Sequence, residues 1–324
     1  MSNYEDLILY FEEQLDKIQY NNRPIELYDP IKYTLGFGGK RIRPVTTLMG
    51  CELFCNDFKK ALPQSIAIEL FHNFTLIHDD IMDDAPIRRG KETVFKKWNS
   101  NIAILSGDTL FALAYQYAQQ ADTVILKDIL SVFNQTAIEV CEGQQFDLNY
   151  ETRNSVSVDE YINMIRLKTG VLFGASLKIG ALIGGASNSD ADLLYDFGVN
   201  IGLGFQLKDD LLDTFGNEIV FGKKNGGDIV SNKKTFLYIK ALELANNNER
   251  KILLKHYKST ELQSNSKINL IKDMFIKLNV DVAASEVIDG FFNLGIKSLD
   301  KINLPAKRKI QLMEVAVKMI DRNK

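Results

Sequence analysis

The sequence predicts an all-α protein, and three observations carry that prediction. Only six prolines occur, at positions 24, 30, 44, 63, 86 and 305, so the stretch from Ile87 to Leu304 lacks the residue that most reliably breaks a helix. Apolar residues recur at spacings of three and four over several long stretches, which gathers them on one side of a 3.6-residue turn. Strict alternation, the mark of a half-buried strand, is nearly missing. Asn225-Gly226 lies in a polar loop, not between two β-branched runs.

In chain order, the helical period runs over Tyr4 to Tyr20, Leu62 to Asp84, Thr109 to Ala121 and Ile125 to Val140. Ser157-Val158-Asp159-Glu160 reads as a capping box that opens a further helix at Tyr161. Gly170, Gly174, Gly180, Gly184 and Gly185 come next, with Ala175, Ser176 and Ala181 between them. No strand precedes these glycines and their spacing is helical, so they predict close helix packing, not a phosphate loop. Polar breaks fall at Asn149 to Ser157, Gly184 to Asp190, Gly216 to Asn232, Ala245 to Glu249 and Ser259 to Ser266. None has the length or bias of a linker, so residues 1–324 read as one domain. An average helix of about a dozen residues predicts ten to twelve helices.

Composition narrows the function classes. Hydrophobic residues make up 45% of the 324 and charged residues 25%, enough for a sizeable core and against disorder. Lys+Arg 39 against Asp+Glu 42 leaves a net charge of −3, which disfavours a nucleic-acid binder. Cys51, Cys55 and Cys141 are an odd, sparse set without a CxxC pair, as a reduced compartment would have. The most apolar stretch, Val171 to Ala186, is interrupted by Lys178 and falls short of a membrane span. The N-terminus has neither a signal-peptide nor a transit-peptide pattern, and the expected location is cytoplasmic.

The chemistry concentrates in two acidic motifs. Asp79-Asp80-Ile81-Met82-Asp83-Asp84 is echoed by Asp209-Asp210-Leu211-Leu212-Asp213, and both match D-D-x-x-D within helix-like sequence. Residues four apart share a helix face, so Asp79 stacks with Asp83 and Asp209 with Asp213. Like charges stacked in this way call for a cation, and carboxylates with water and phosphate oxygens are the usual ligands of Mg²⁺. A single copy would read as a solvated helix end. EF-hands are excluded by the missing glycine and glutamate of their loop. A di-iron bundle is disfavoured because the three histidines, His72, His78 and His256, form no Glu-x-x-His pair.

Cations accompany both motifs. Gly36-Phe37-Gly38-Gly39-Lys40 and Arg41-Ile42-Arg43-Pro44 form a turn that presents three cations together, with a solvated helix end as the equal alternative. Arg88-Arg89-Gly90 comes after the first motif, Lys168-Thr169 lies between the two, and Lys223, Lys224, Lys233 and Lys234 come after the second. Lys224 and Lys234 also fit a solvated face. His72 lies seven residues before Asp79, two turns away and about 20° off in rotation, on the carboxylate face. Mg²⁺-bridged diphosphate is the ligand that this inventory favours.

The ordered set resembles the trans-prenyltransferase (polyprenyl diphosphate synthase) family. It comprises Gly38-Gly39-Lys40-Arg41-Ile42-Arg43-Pro44, His78-Asp79-Asp80-Ile81-Met82-Asp83-Asp84, Gly107-Asp108 and Gly143-Gln144-Gln145-Phe146-Asp147-Leu148. Lys168-Thr169-Gly170 and Gly204-Phe205-Gln206-Leu207-Lys208-Asp209-Asp210 complete it. The resemblance implies a helical bundle of the isoprenoid-synthase kind around a deep central cavity, with the acidic motifs facing each other across its mouth. It implies condensation of isopentenyl diphosphate with an allylic partner (dimethylallyl, geranyl or farnesyl diphosphate) by a homodimer with three Mg²⁺ ions per site.

By the same resemblance, Asp79, Asp83 and Asp209 hold the metal, with Asp80, Asp210 and Asp213 in support. Arg88, Lys168, Lys223 and Lys233 grip the allylic diphosphate. Thr169 and Gln206 direct oxygen dipoles at the allylic cation, and Lys40, Arg43, His72 and Arg89 bind isopentenyl diphosphate. A bulky aromatic at Phe74 followed by Thr75, with no insertion in the motif, resembles geranylgeranyl diphosphate synthases of the archaeal type, which make a C20 product. Farnesyl diphosphate synthases often carry a second aromatic at the Thr75 position. Two departures stand out: Asn217-Glu218 replaces the usual Asp-Pro, and Lys318 to Lys324 lacks a paired-arginine tail. A terpene cyclase would carry a different second metal motif and would not need Lys40, Arg43 and Arg89. A non-catalytic subunit of a heteromeric synthase would have degraded acidic motifs, and both are intact here.

Overall fold

The structure, a computed structural model, describes residues 2–20, 22–216, 226–257 and 264–320. It is all-α, as the sequence predicts. Among these residues the one sheet is a hairpin in which β1 (Ile87–Arg88) pairs antiparallel with β2 (Lys91–Glu92). The helices are α1 (Tyr4–Asp16), α2 (Ile25–Leu35), α3 (Ile42–Phe54), α4 (Leu62–Met82), α5 (Val94–Lys97) and α6 (Ser100–Ala118). Then come α7 (Thr123–Thr152), α8 (Val158–Ile165), α9 (Val171–Ile183) and α10 (Asn188–Phe215). Six more follow among the described residues: Gly227–Val230, Phe236–Leu244, Asn247–Tyr257, Ser264–Lys277, Val280–Lys301 and Ala306–Ile320. The sixteen among the described residues exceed the ten to twelve expected, because several pieces, such as α5 and Gly227–Val230, are single turns that an average length ignores. No helix of the described residues is long and apolar enough to cross a membrane.

The chain divides into two compact units. The first comprises Met1–Gln135, Ala175–Tyr195 and Leu304–Leu312; the second comprises Thr136–Gly174, Asp196–Asn303 and Met313–Lys324.

In the first unit, α1 starts where the Asn3 side chain accepts a hydrogen bond from the Asp6 amide, and it buries Leu7, Phe11 and Leu15. Their four-residue spacing makes one apolar stripe, and each such burial contributes about 1.5–3 kcal/mol. The central α4 buries nearly everything from Gln64 to Phe71. It ends two residues before the expected Asp84, because Asp83 caps it and Asp84 turns into the left-handed region at φ 46° ahead of Pro86. The predicted close packing holds for Gly180 and Gly184, while Gly185 has open space around it and turns the chain at φ 90° after α9. A Cβ at Gly180 would lie 2.0 Å from the Thr47 carbonyl oxygen, and one at Gly184 would lie 2.5 Å from that of Cys51. Cys51 is buried, and its sulfur lies 3.5 Å from that of Cys55; both are free thiols.

In the second unit, the capping box is formed in full: the Ser157 hydroxyl accepts from the Glu160 amide while the Glu160 carboxylate accepts from the Ser157 amide. The helix α8 then runs into one π-helical turn, Arg166–Gly170. Beyond it four glycines meet in pairs. A Cβ at Gly198 would lie 2.8 Å from the Gly174 Cα, and one at Gly202 would lie 3.0 Å from the Gly170 Cα. The two backbones therefore approach more closely than any larger residues would allow.

Candidate active site

The first acidic motif closes α4. Asp79 is half-buried, Asp80 is 4% exposed, and Asp83 is exposed at the cap. Arg88 reaches back from β1 and donates from Nε to Asp80 Oδ1 at 2.7 Å. Burial pushes the Asp80 carboxyl up to about 6 against the pull of Arg88, and Asp79 and Asp83 add to the rise. The hairpin turn is Arg89-Gly90, with φ of 51° and 75°. Two positive φ values in a two-residue turn are what a strand pair with right-handed twist demands, and Gly90 meets that at no steric cost. The turn places the Arg89 guanidinium on the Gly38 carbonyl, while Lys91 Nζ donates to the Gly36 carbonyl at 3.1 Å.

The glycine-rich turn beside this hairpin departs from expectation in one respect. Lys40 is exposed and Arg43 half-buried, but Arg41 is turned inward and only 5% exposed. Its guanidinium binds Glu69, Glu12 and the Leu35 carbonyl, so the turn presents two cations and not three. The neighbouring Glu69 is buried as well, and leaving either partner alone would cost about 3–5 kcal/mol. Arg43 Nη1 lies 3.2 Å from His72 Nε2. A guanidinium can only donate, so Nε2 is the acceptor and the imidazole is neutral with its proton on Nδ1. Burial, then the guanidiniums of Arg43, Arg89, Arg88 and Arg41, hold His72 well below the usual histidine range.

Phe74 stacks on Phe111 with ring centroids 5.0 Å apart and meets His78 edge-on at 4.8 Å. Phe71, Tyr115 and Phe133 extend the same aromatic cluster. Thr75 is half-buried, and its hydroxyl donates to the His72 carbonyl at 2.8 Å.

The second unit holds a cavity of about 120 Å³, lined by Asp147, Tyr161, Lys168, Thr169, Gln206, Asp210, Asp228 and Lys233 among others. Lys168 and Thr169 lie in the π turn, a backbone irregularity frequent at functional sites. Gly143 on α7 permits the turn to sit where it does, because a Cβ there would lie 2.3 Å from the Lys168 amide nitrogen. A hydrogen-bond chain crosses the wall. Thr169 donates to Gln206 Oε1 at 3.2 Å, Gln206 donates to Asp210 Oδ1 at 3.2 Å, and the Tyr161 hydroxyl donates to Asp210 Oδ2 at 2.5 Å. Burial holds the Asp210 carboxyl far above the ordinary carboxylate range, with the Asp228 charge next in weight.

Lys168 Nζ pairs with Asp147 at 2.7 Å. Asp213 accepts from the Asp228 amide at 3.0 Å. The Lys233 amide donates to the Asp228 carbonyl at 2.9 Å, and the Lys233 carbonyl accepts from the buried Tyr257 hydroxyl at 2.5 Å. Lys234 is a helix cap: its Nζ donates to the Tyr150 and Glu151 carbonyls at the end of α7. Lys223, Lys224 and Asn217-Glu218 lie outside the described residues, as do residues 321–324 of the tail.

The structure thus brings Arg43 to His72, Arg88 to Asp80 and Thr169 to Gln206. Sequence reasoning missed Tyr161, Asp147 and Asp228. Tyr161 read as the start of a helix, Asp147 lay within the Gly143–Leu148 motif without a role of its own, and Asp228 gave no signal beyond its place five residues before Lys233. Among the described residues no three His, Cys, Asp or Glu side chains converge as a ready-made metal centre.

The comparisons with known proteins agree with one another. The Polyprenyl synthetase family model matches residues 24–274. Geranylgeranyl diphosphate synthase of Methanosarcina mazei is 42% identical over 236 residues, 72% of this chain and 73% of that protein. The protein of the same name from Sulfolobus acidocaldarius is 36% identical over 326 residues, 98% of each. A crystal structure of a geranylgeranyl pyrophosphate synthase, 42% identical, matches with a TM-score of 0.95 over 100% of both chains.

Proposed function

Since the chain belongs to the polyprenyl synthetase family, we propose that it condenses isopentenyl diphosphate with allylic diphosphates and makes the C20 product geranylgeranyl diphosphate. The observation that carries this reading is the presence of two separate sets of cations, one with each intact acidic motif. Arg43, with the neutral His72 against it, and Arg89 gather around the Gly36–Lys40 turn, and Lys168 and Lys233 line the same cavity as Asp210. Two diphosphates need two such sets; a cyclase needs one. The names of the relatives and the Phe74-Thr75 pair support C20 over C15. One polyprenyl synthase domain over residues 1–324 is part of the same reading.

The donor set fits magnesium. All candidate ligands are carboxylate oxygens, and the carboxyls of Asp80 and Asp210 are raised first by burial and then by neighbouring carboxylates, a charge a divalent cation would offset. A centre that needs water and diphosphate oxygens to complete it also has no reason to converge beforehand. Asp79, Asp83 and Asp209 would hold three ions, with Asp80, Asp210 and Asp213 in support. Mg²⁺ so held would draw charge from the allylic diphosphate and weaken its C–O bond.

Arg88, Lys168 and Lys233, with Lys223 beyond the described residues, neutralise the leaving diphosphate. Thr169 and Gln206 turn oxygen dipoles toward the allylic carbon as positive charge develops there. Lys40, Arg43, His72 and Arg89 hold isopentenyl diphosphate so that its double bond attacks that carbon. The released diphosphate then takes the proton. We also place the protein in the cytoplasm as a homodimer; Ile104, Leu105 and Val124 are exposed apolar surface of the kind a second copy covers.

Incubation with isopentenyl diphosphate and each primer, with Mg²⁺ or with chelator, tests the reading, followed by chromatography of the dephosphorylated products. Magnesium-dependent geranylgeraniol is expected. No product from any primer would overturn the activity, while a C15 or C25 alcohol would overturn the chain length alone.

A further inference from the structure

The turn that carries Lys40 and Arg43 is tied to α1. We propose that α1 is a strut that sets this turn for isopentenyl diphosphate, with Tyr4, Glu12 and Arg41 as positioning residues. The inference rests on the assignment of Lys40 and Arg43 to that diphosphate.

Two contacts from α1 bracket Lys40. The Tyr4 hydroxyl donates to the Lys40 carbonyl at 2.9 Å, and Glu12 Oε1 accepts from Arg41 Nε at 2.8 Å. Arg41 itself has φ 46°, a left-handed conformation that a non-glycine residue keeps only where its surroundings hold it. All three of its guanidinium nitrogens are engaged: Nε by Glu12, Nη1 by Glu69 and Nη2 by the Leu35 carbonyl. Glu69 also accepts from Asn73 Nδ2 at 3.0 Å, next to His72 in sequence. One network therefore joins α1, the turn, and the part of α4 that carries His72. From the other side the turn is held by Arg89 and Lys91. A turn ordered in advance spares the ligand the entropy of ordering it, and that saving belongs to whichever substrate the turn binds.

The strut is therefore specific in its consequence. The Tyr4→Phe/Glu12→Gln double variant should raise KM for isopentenyl diphosphate about tenfold, the equivalent of one lost ordering contact. KM for farnesyl diphosphate and kcat should stay within about twofold. Arg41→Met should show the same split more strongly, and Tyr4→Phe alone, which deletes one hydroxyl, keeps the measurement readable should the others fold poorly. Lys40→Ala is measured alongside. If it raises KM for isopentenyl diphosphate while the α1 variants do not, the strut is wrong and the site assignment stands. A parallel rise in both KM values would reduce α1 to general packing and also overturn the proposal. If Lys40→Ala leaves that KM unchanged, the site assignment falls and takes the strut with it.

Discussion

Gly143→Ala adds one methyl group at a place where the structure has no room for it. The new Cβ would sit 2.3 Å from the Lys168 amide nitrogen and 2.8 Å from both Leu167 C and Lys168 Cα. These are backbone atoms, so no rotamer change relieves the clash. Ordinary contact begins at 3.4 Å, and α7 must therefore separate from the π turn by about 1 Å. Overpacking of this kind costs about 1–3 kcal/mol in stability. The functional cost is expected to be larger, because the displaced atoms carry Lys168 and Thr169, and Thr169 would be drawn from Gln206, now 3.2 Å away. A misplacement of about 1 Å in positioning groups costs on the order of 10²-fold in rate. We expect kcat to fall by about that factor in a diphosphate-release assay, with a modestly lowered melting temperature. Gly290→Ala is the control: nothing lies within 4 Å of its Cβ, it is exposed on the helix Val280–Lys301, and it should stabilise by about 0.4–1 kcal/mol at full activity. A Gly143→Ala enzyme with wild-type kcat and melting temperature would refute the reasoning, because the backbone would have absorbed the methyl group without moving the site.

Other expectations rest on the same geometry. Asp79→Ala and Asp209→Ala should each lower turnover by about 10³-fold or more while the protein stays folded by circular dichroism; near-normal rates at saturating Mg²⁺ would remove them from the metal site. His72 is held neutral, so below its unfolded value near 6.5 the unfolded chain binds a proton that the folded chain refuses. Its stability contribution is therefore present above about pH 7 and lost as pH falls, by up to about 1.4 kcal/mol per unit. Urea midpoints at pH 7.5 and 5.5 should converge for His72→Gln relative to wild type, and an identical pH dependence in both would contradict a neutral His72. Thr75 lies one turn, about 6 Å, before Asp79 on α4. Thr75→Phe should shorten the product toward C15, and an unchanged C20 product from an active variant would place the floor elsewhere.

The helical class was legible because proline spacing and a 3.6-residue period act locally. So were the capping box at Ser157 and the packing glycines, whose signals lie within a few residues. The fate of each cation was not. Lys40, Arg41 and Arg43 look alike in sequence, yet Arg41 is buried because Glu69, 28 positions away, and Glu12, 29 away, take its guanidinium. Phe74 lies about 140° from Asp79 on an ideal wheel, and its stacking partner Phe111 comes from a different helix, α6. Tyr161 was hidden for the same reason: its partner Asp210 is 49 residues on. What a local period cannot encode is which buried group a distant side chain satisfies.

The π turn at Arg166–Gly170 acts as a phase adjustment between two helices. Every residue inserted into or removed from a helix rotates the downstream turns by about 100° and slides them by about 1.5 Å. Taking one residue out of that turn would let the helix run on in regular α register, but Gly170 and Gly174 would then swing away from Gly202 and Gly198. Larger neighbours would face a gap that only hydrogen side chains now fit. Substitutions along α9 are thus judged side chain by side chain, whereas a change of length here is judged by the whole helix at once, and the segment tolerates drift in its letters far better than drift in its count.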